Sequence, residues 1–142
     1  MAGFKFRLEQ ILRYRAQLED QAKMALSSAL AELTAQEQNL ESLKNLLQQQ
    51  EGIACLDPAE FWLRDNYIRS LKDDIEAAAL KVETLKLKVE RCRYELIKKS
   101  QERQLLQKLK EKQAERYANE QKLKEQSILD EIASHGCQIA AF

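Results

Sequence analysis

A chain of 142 residues with three glycines and one proline has few places to reverse direction, and 32% charged residues with 6% aromatics is coiled-coil composition. Such a composition excludes a broad, deep core and any fold that needs many turns. The 23 basic and 23 acidic residues cancel, so the average charge draws the chain neither to nucleic acid nor to anionic lipid.

The cancellation hides segments of opposite sign. Residues 1–31 carry five basic and three acidic groups, 32–76 four and ten, 81–126 fourteen and eight, and 127–142 two acids alone. Cys55, Cys92 and Cys137 are odd in number and widely spaced, without a C-x-x-C pair, which fits reduced thiols better than a disulfide framework or a zinc site. Phe4, Lys5, Phe6 and Arg7 alternate where a signal peptide would run apolar, and nowhere do ~18 apolar residues stand together. The expectation is a soluble protein that stays inside the cell and inserts in no membrane.

The first element opens on FKFRLEQILRYRAQLEDQAKMALSSALAEL, an amphipathic helix with aromatics crowded at its start. A seam can be traced through Phe4, Leu8, Ile11, Arg15, Leu18, Ala22, Ala25, Ala29, Leu33, Gln36, Leu40, Leu43 and Leu47. Its steps alternate four and three except for a repeated four near Ala29, which predicts a stutter that locally relaxes supercoiling. Leu26 and Leu30 beside it could rotate the seam instead. Arg15 and Gln36 read as specificity devices or snorkelling side chains.

The stretch QQQEGIACLDPAEF, residues 48–61, breaks the pattern. Gly52 can supply a left-handed helix stop, and Asp57, Pro58 and Glu60 read as N-cap, N1 and N3 of a second helix. That helix carries Phe61 and then Ile68, Leu71, Ile75, Ala78, Val82, Leu85, Val89, Cys92 and Leu96 at four-three spacing, with Cys92 a small buried hydrophobe. Past Leu96 the seam turns to Lys99 and Arg103. Through residues 101–126, Leu105, Leu106, Leu109, Tyr117 and Leu123 are then the only apolar punctuation of a polar helix, which is either frayed or exposed until a partner covers it.

The predicted fold is all-α: one long two-helix antiparallel coiled-coil hairpin whose C-terminal helix overhangs. Helix one covers about 4–50, the loop about 51–57, helix two about 58–133 and a tail 134–142, as a single elongated domain. With the fold centred near residue 54, position i faces roughly 109 − i, so Phe4 should meet the chain near residue 105. At 1.5 Å per residue the helices measure about 70 and 110 Å, and the rod leaves about 40 Å of overhang beside a basic end, with an acidic tip at the loop.

Such a rod builds no concave, water-excluding pocket, and the chain has no Gly-rich phosphate loop. No enzyme activity, cofactor or metal is expected. His135 and Cys137 are two ligands too few for a closed metal site, and the lysines and arginines of residues 106–126 interleave with Glu111, Glu115, Glu120 and Glu125 as intrahelical pairs rather than a nucleic-acid surface.

Phe4-Lys5-Phe6-Arg7-Leu8-Glu9, then Ile11-Leu12-Arg13-Tyr14-Arg15, Glu19, Ala22 and a Leu/Ala run, closely resembles the start of the FliJ family, and FWLRDNYIRSLKDDI after the loop is a second, weaker match. The resemblance implies an antiparallel coiled coil of the flagellar type III export apparatus, similar to the central stalk of rotary ATPases. It implies a cytoplasmic protein, peripherally associated with the inner face of the membrane at the flagellar base. Its implied partners are the hexameric export ATPase (FliI family), entered by the end carrying both termini, the cytoplasmic domain of the export gate (FlhA family), and export chaperones.

On this resemblance Phe4, Phe6, Leu8 and Ile11 are the ATPase-ring residues, and Leu40, Leu43, Tyr67 and Leu71 align with the gate-contacting positions. Leu46 and Gln50 stand where the family carries aromatics late in the first helix. Read from the residues alone, Leu40, Leu43 and Leu71 are hairpin core, and Tyr67, beside the seam position Ile68, points outward. The alternative class is a generic scaffolding coiled coil, which leaves the Phe4/Phe6 start unexplained. A prefoldin-type holdase would need β-hairpins that residues 51–57 are too short to supply.

Overall fold

The computed structural model describes residues 3–54 and 57–140, with side chains through Gly136. Two helices account for nearly all of it: α1, Glu9–Glu51, and α2, Pro58–Ala140. They pack against each other as an all-α hairpin, and no strand occurs among the described residues. The chain divides into two compact units, one of residues 19–98 and one that joins 1–18 to 99–142. Within each unit α1 and α2 run antiparallel.

In the unit of residues 19–98, the α2 face buries Leu71, Ala78, Val82 and Val89 and half-buries Ile68, Ile75, Leu85, Cys92 and Leu96. This is the four-three seam expected from the sequence. Phe61 is exposed and does not belong to it. Cys92 lies half-buried with its thiol free, while Cys55 and the Cys137 side chain lie outside the described residues.

The α1 face differs from the expected one. Its covered positions include the run Leu12, Arg15, Glu19, Ala22, Leu26, Ala29, Leu33, Gln36, Leu40, Leu43, Leu47 and Gln50, an alternation of three and four with no repeated step, with Ala16 and Leu18 half-covered beside it. The predicted stutter is therefore absent. Leu12 replaces Ile11 and Leu26 replaces Ala25, and the strict heptad is kept at the cost of seating the Glu19 carboxylate on the seam. That charge is buried beside Lys23, 3.3 Å away one turn on.

The register also differs. Glu32 meets Lys88 at 3.2 Å, Arg15 meets Glu102 at 2.6 Å, and Glu9 meets Lys110 at 2.8 Å, so position i faces about 119 − i rather than 109 − i. The cause lies at the chain reversal. Beyond Glu51, Ile53 and Ala54 lie beside the first turns of α2, where the Arg64 guanidinium donates to the Ile53 carbonyl and, at 3.5 Å, to that of Ala54. About ten residues of α2 thus flank the loop before the two seams engage.

The caps explain the element ends. Asp57 accepts the Ala59 amide on its side chain at 3.1 Å and the Phe61 amide on its carbonyl at 2.9 Å, so α2 starts as expected, with Pro58 in its first position. Gly52 is not left-handed. Its amide bonds the Gln48 carbonyl at 3.2 Å, and the helix ends in a tighter turn from the Ile53 amide to the Gln50 carbonyl. A Cβ at Gly52 would meet only the Gln48 and Gln49 carbonyl oxygens, both at 3.6 Å. Gly52→Ala should therefore raise stability by about 0.5–1 kcal/mol, read as a higher urea midpoint with unchanged slope. A lower midpoint would mean that the turn needs glycine.

Candidate partner-binding surfaces

In the unit that joins 3–18 to 99–140, the chain enters as an irregular segment, turns at Arg7 and Leu8, and begins α1 at Glu9, whose amide bonds the Phe6 carbonyl at 3.2 Å. Phe4 lies with its ring 5.8 Å from that of Tyr117, tilted 45°, an edge-biased aromatic pair. Phe6 is buried at 7% exposure, and Leu8 is half-covered. Ile11, at 45%, is the outward member of the four residues assigned to the ATPase ring. The crowding of aromatics at the start thus has an internal use: Phe4 pairs with Tyr117 on α2, and Phe6 is buried.

Electrostatics hold the same place. Glu9 sits between Lys110 and Arg13, its oxygens 2.8 and 3.6 Å from their cations. The Lys110 ammonium chiefly holds the Glu9 carboxyl below its ordinary value, against the opposing effect of partial burial. Lys99 and Arg103 are half-buried as anticipated, and Lys99 reaches to 4.0 Å from Glu102.

Helix α2 keeps covered positions at Leu106, Lys110, Gln113, Tyr117 and Gln121, so the α1 side supports it about a dozen residues further than expected. Every side chain from Lys122 to Gly136 is exposed. Leu123, Ile128, Leu129 and Ile132 are apolar residues of this free stretch, which is helical to Ala140 where a tail had been expected from 134.

In the unit of residues 19–98, the four residues assigned to the export gate separate by depth. Leu71 is 4% exposed, Leu40 and Leu43 are half-buried on the α1 seam, and Tyr67 is 44% exposed. Leu71 therefore shapes the packing, and Tyr67 faces solvent. Sequence reasoning set Phe61 on the seam and passed over Ile53, Trp62 and Leu63; all four are exposed, Trp62 at 65%. The available signal was an aromatic doublet straight after a helix cap and off the seam phase.

Among the described residues no three metal-ligating side chains converge, and no helix is long and apolar enough to cross a membrane.

Two outcomes follow. Leu71→Ala should cost roughly 2–4 kcal/mol in urea unfolding, and Tyr67→Ala under about 0.5 kcal/mol; equal losses would show that Tyr67 is packed as Leu71 is. Because the folded Glu9 value is lowered, its contribution is complete above the ordinary value of 4.5 and is lost as pH falls through the lowered one. Titration by NMR should place Glu9 below 4.5 and return it toward that value in Lys110→Gln. No change on that substitution would remove Lys110 as the cause.

A family profile described as "Flagellar FliJ protein" matches residues 4–139. No curated protein and no solved structure matches the chain. With a hairpin of two long helices and a match that spans nearly its whole length, the chain belongs to the FliJ family, a component of the flagellar export apparatus.

Proposed function

We propose that the chain is a noncatalytic stalk of flagellar protein export, which binds the hexameric export ATPase (FliI type), promotes its assembly and turnover, and couples it to the cytoplasmic domain of the export gate (FlhA type). It works in the cytoplasm, peripherally at the inner face of the membrane at the flagellar base, and takes part in export-chaperone recycling. The observation that carries this reading is the family match over residues 4–139.

The residues divide the labour by exposure. Ile11 offers the ring an apolar side chain that the hairpin does not use, Leu8 is half-available, and Phe4 and Phe6 position the segment that presents them. The exposed helical stretch from Lys122 to Gly136 adds Leu123, Ile128, Leu129 and Ile132 to the surface available to the ATPase. Toward the gate, Tyr67 is the direct contact, with Leu40 and Leu43 at the edge of the seam and Leu71 beneath it holding α2 in phase.

Steady-state ATP hydrolysis by the cognate export ATPase, at subsaturating enzyme and titrated with this chain, should rise with dose. Ile11→Asp should weaken the activation and leave the melting temperature almost unchanged, whereas Phe6→Asp should lower the melting temperature by burying an unpaired charge. Absence of both activation and co-elution would transfer the chain to the scaffolding class.

A further inference from the structure

The two seams do not end together. Counted back from Ile68 in steps of four and three, the α2 seam continues through Arg64 to Phe61. In the register marked by Glu32 and Lys88, Ile68 stands opposite the last turn of α1, which stops at Glu51, so Arg64 and Phe61 lie beyond its end. An open hollow of about 380 Å³ takes the place where α1 would have continued, between Glu51 and Ile53 on one side and Phe61, Arg64, Asp65 and Ile68 on the other. Phe61 is 63% exposed and Ile53 52%, so its floor is apolar and uncovered.

Its charge is negative on balance. Helix α1 ends here with no basic residue in its last turn, and its partial negative end is joined by Glu51, which has no ion-pair partner among the described residues. Asp65 adds a second carboxylate, held at 3.2 Å by Arg69 from outside the lining. Arg64 is the one cation of the lining, and its guanidinium is already turned to the carbonyls of Ile53 and Ala54. Over residues 50–69 the acids Glu51, Asp57, Glu60 and Asp65 stand against Arg64 and Arg69 alone. Trp62, 65% exposed and the single tryptophan of the chain, lies one turn before Asp65 on the same face of α2.

From these observations we infer that the hollow takes a short basic segment of a partner protein. A leucine-sized side chain of that segment sits on Ile53, Phe61 and Ile68, and an arginine beside it faces Glu51 and the end of α1. A second arginine lies over the open face of Trp62, next to Asp65. Charge selects this occupant: an acidic segment or an anionic lipid surface would meet Glu51, Asp65 and the negative end of α1, and the same hollow on a second copy carries the same acids. Length selects its form. From Phe61 to Ile68 α2 rises about 10 Å, room for about three extended residues rather than a docked helix. None of Leu40, Leu43, Tyr67 and Leu71 lines the hollow, so the inference does not rest on the gate contact.

The probes are labelled peptides of about ten residues that carry one leucine flanked by arginines, or the same leucine flanked by glutamates. Anisotropy titration with the full chain should show the arginine peptide bound at least about tenfold more tightly than the glutamate peptide, and more weakly as salt rises. The unlabelled arginine peptide should shift the emission of Trp62. Phe61→Ala should weaken binding at least about fivefold and Glu51→Lys should erase the preference, neither lowering the melting temperature because both positions are exposed, while Tyr67→Ala should leave binding as it was. No binding, equal binding of both peptides, indifference to Phe61→Ala and Glu51→Lys, or a loss on Tyr67→Ala equal to that on Phe61→Ala would each overturn the assignment. So would displacement of the peptide by a second copy of the chain, or a Trp62 shift on anionic vesicles matching that on the peptide.

Discussion

Everything in this structure depends on a thin line of contact that must be kept in phase. Each helix offers its neighbour one covered residue every three or four positions, and the strongly buried apolar set is small: Phe6, Leu12, Ala29, Leu71, Ala78, Val82 and Val89. Among the described residues no large side chain is fully buried. With so little depth, stability is the sum of many shallow layers, and a slip by one residue in α1 would expose Leu12, Leu26 and Leu33 together. Keeping that phase outweighs placing Glu19 on the seam, where Lys23 and half-covered neighbours make the charge tolerable.

The cross-helix ion pairs are better understood as register marks than as a source of stability. Arg15–Glu102 and Lys110–Glu9 in one unit and Glu32–Lys88 in the other are partly exposed, and pairs of that kind contribute at most about 1 kcal/mol each. What they do is penalise alternatives, because a shifted α2 would set Lys88 or Lys110 against a neutral or like-charged neighbour. Glu9 shows the local form of this. One carboxylate fixes where α1 starts by bonding forward to Arg13 and across to Lys110, while Phe4 pairs with Tyr117 of α2 and Phe6 is buried.

Much of the hairpin could be read from residue types alone. The α2 seam from Ile68 to Leu96 is legible because its β-branched and leucine positions have polar neighbours on both sides, and the Asp57–Pro58 cap is a local signal that survives in the structure. The α1 seam is not, because Ile11 stands beside Leu12 and Ala25 beside Leu26, so hydropathy cannot choose between adjacent phases, and Leu18 next to Glu19 favours the wrong one. The register was hidden for a different reason. It hangs on the reach of Arg64 back to the Ile53 and Ala54 carbonyls, a contact between residues eleven and ten apart that no helical period announces. Of the residues put forward for partners, Tyr67 is outward as read and Ile11, read as a seam position, is outward as well, whereas Phe6 and Leu71 are committed to packing, and the Phe61–Trp62 surface came to light only with the fold.

The register decides which residues remain free for partners, so it is the claim to test first. Zero-length carbodiimide coupling of dilute monomer, with linked peptides mapped by mass spectrometry, joins carboxylates only to ammonium groups already in contact. The structure predicts Glu32–Lys88 and Glu9–Lys110 as the interhelical products. Links instead from Glu9 to Lys98 or Lys99, the lysines nearest to a tightly reversed hairpin's partner for that residue, would show that the seams engage directly after the loop, and would contradict the assignment of every outward face described here.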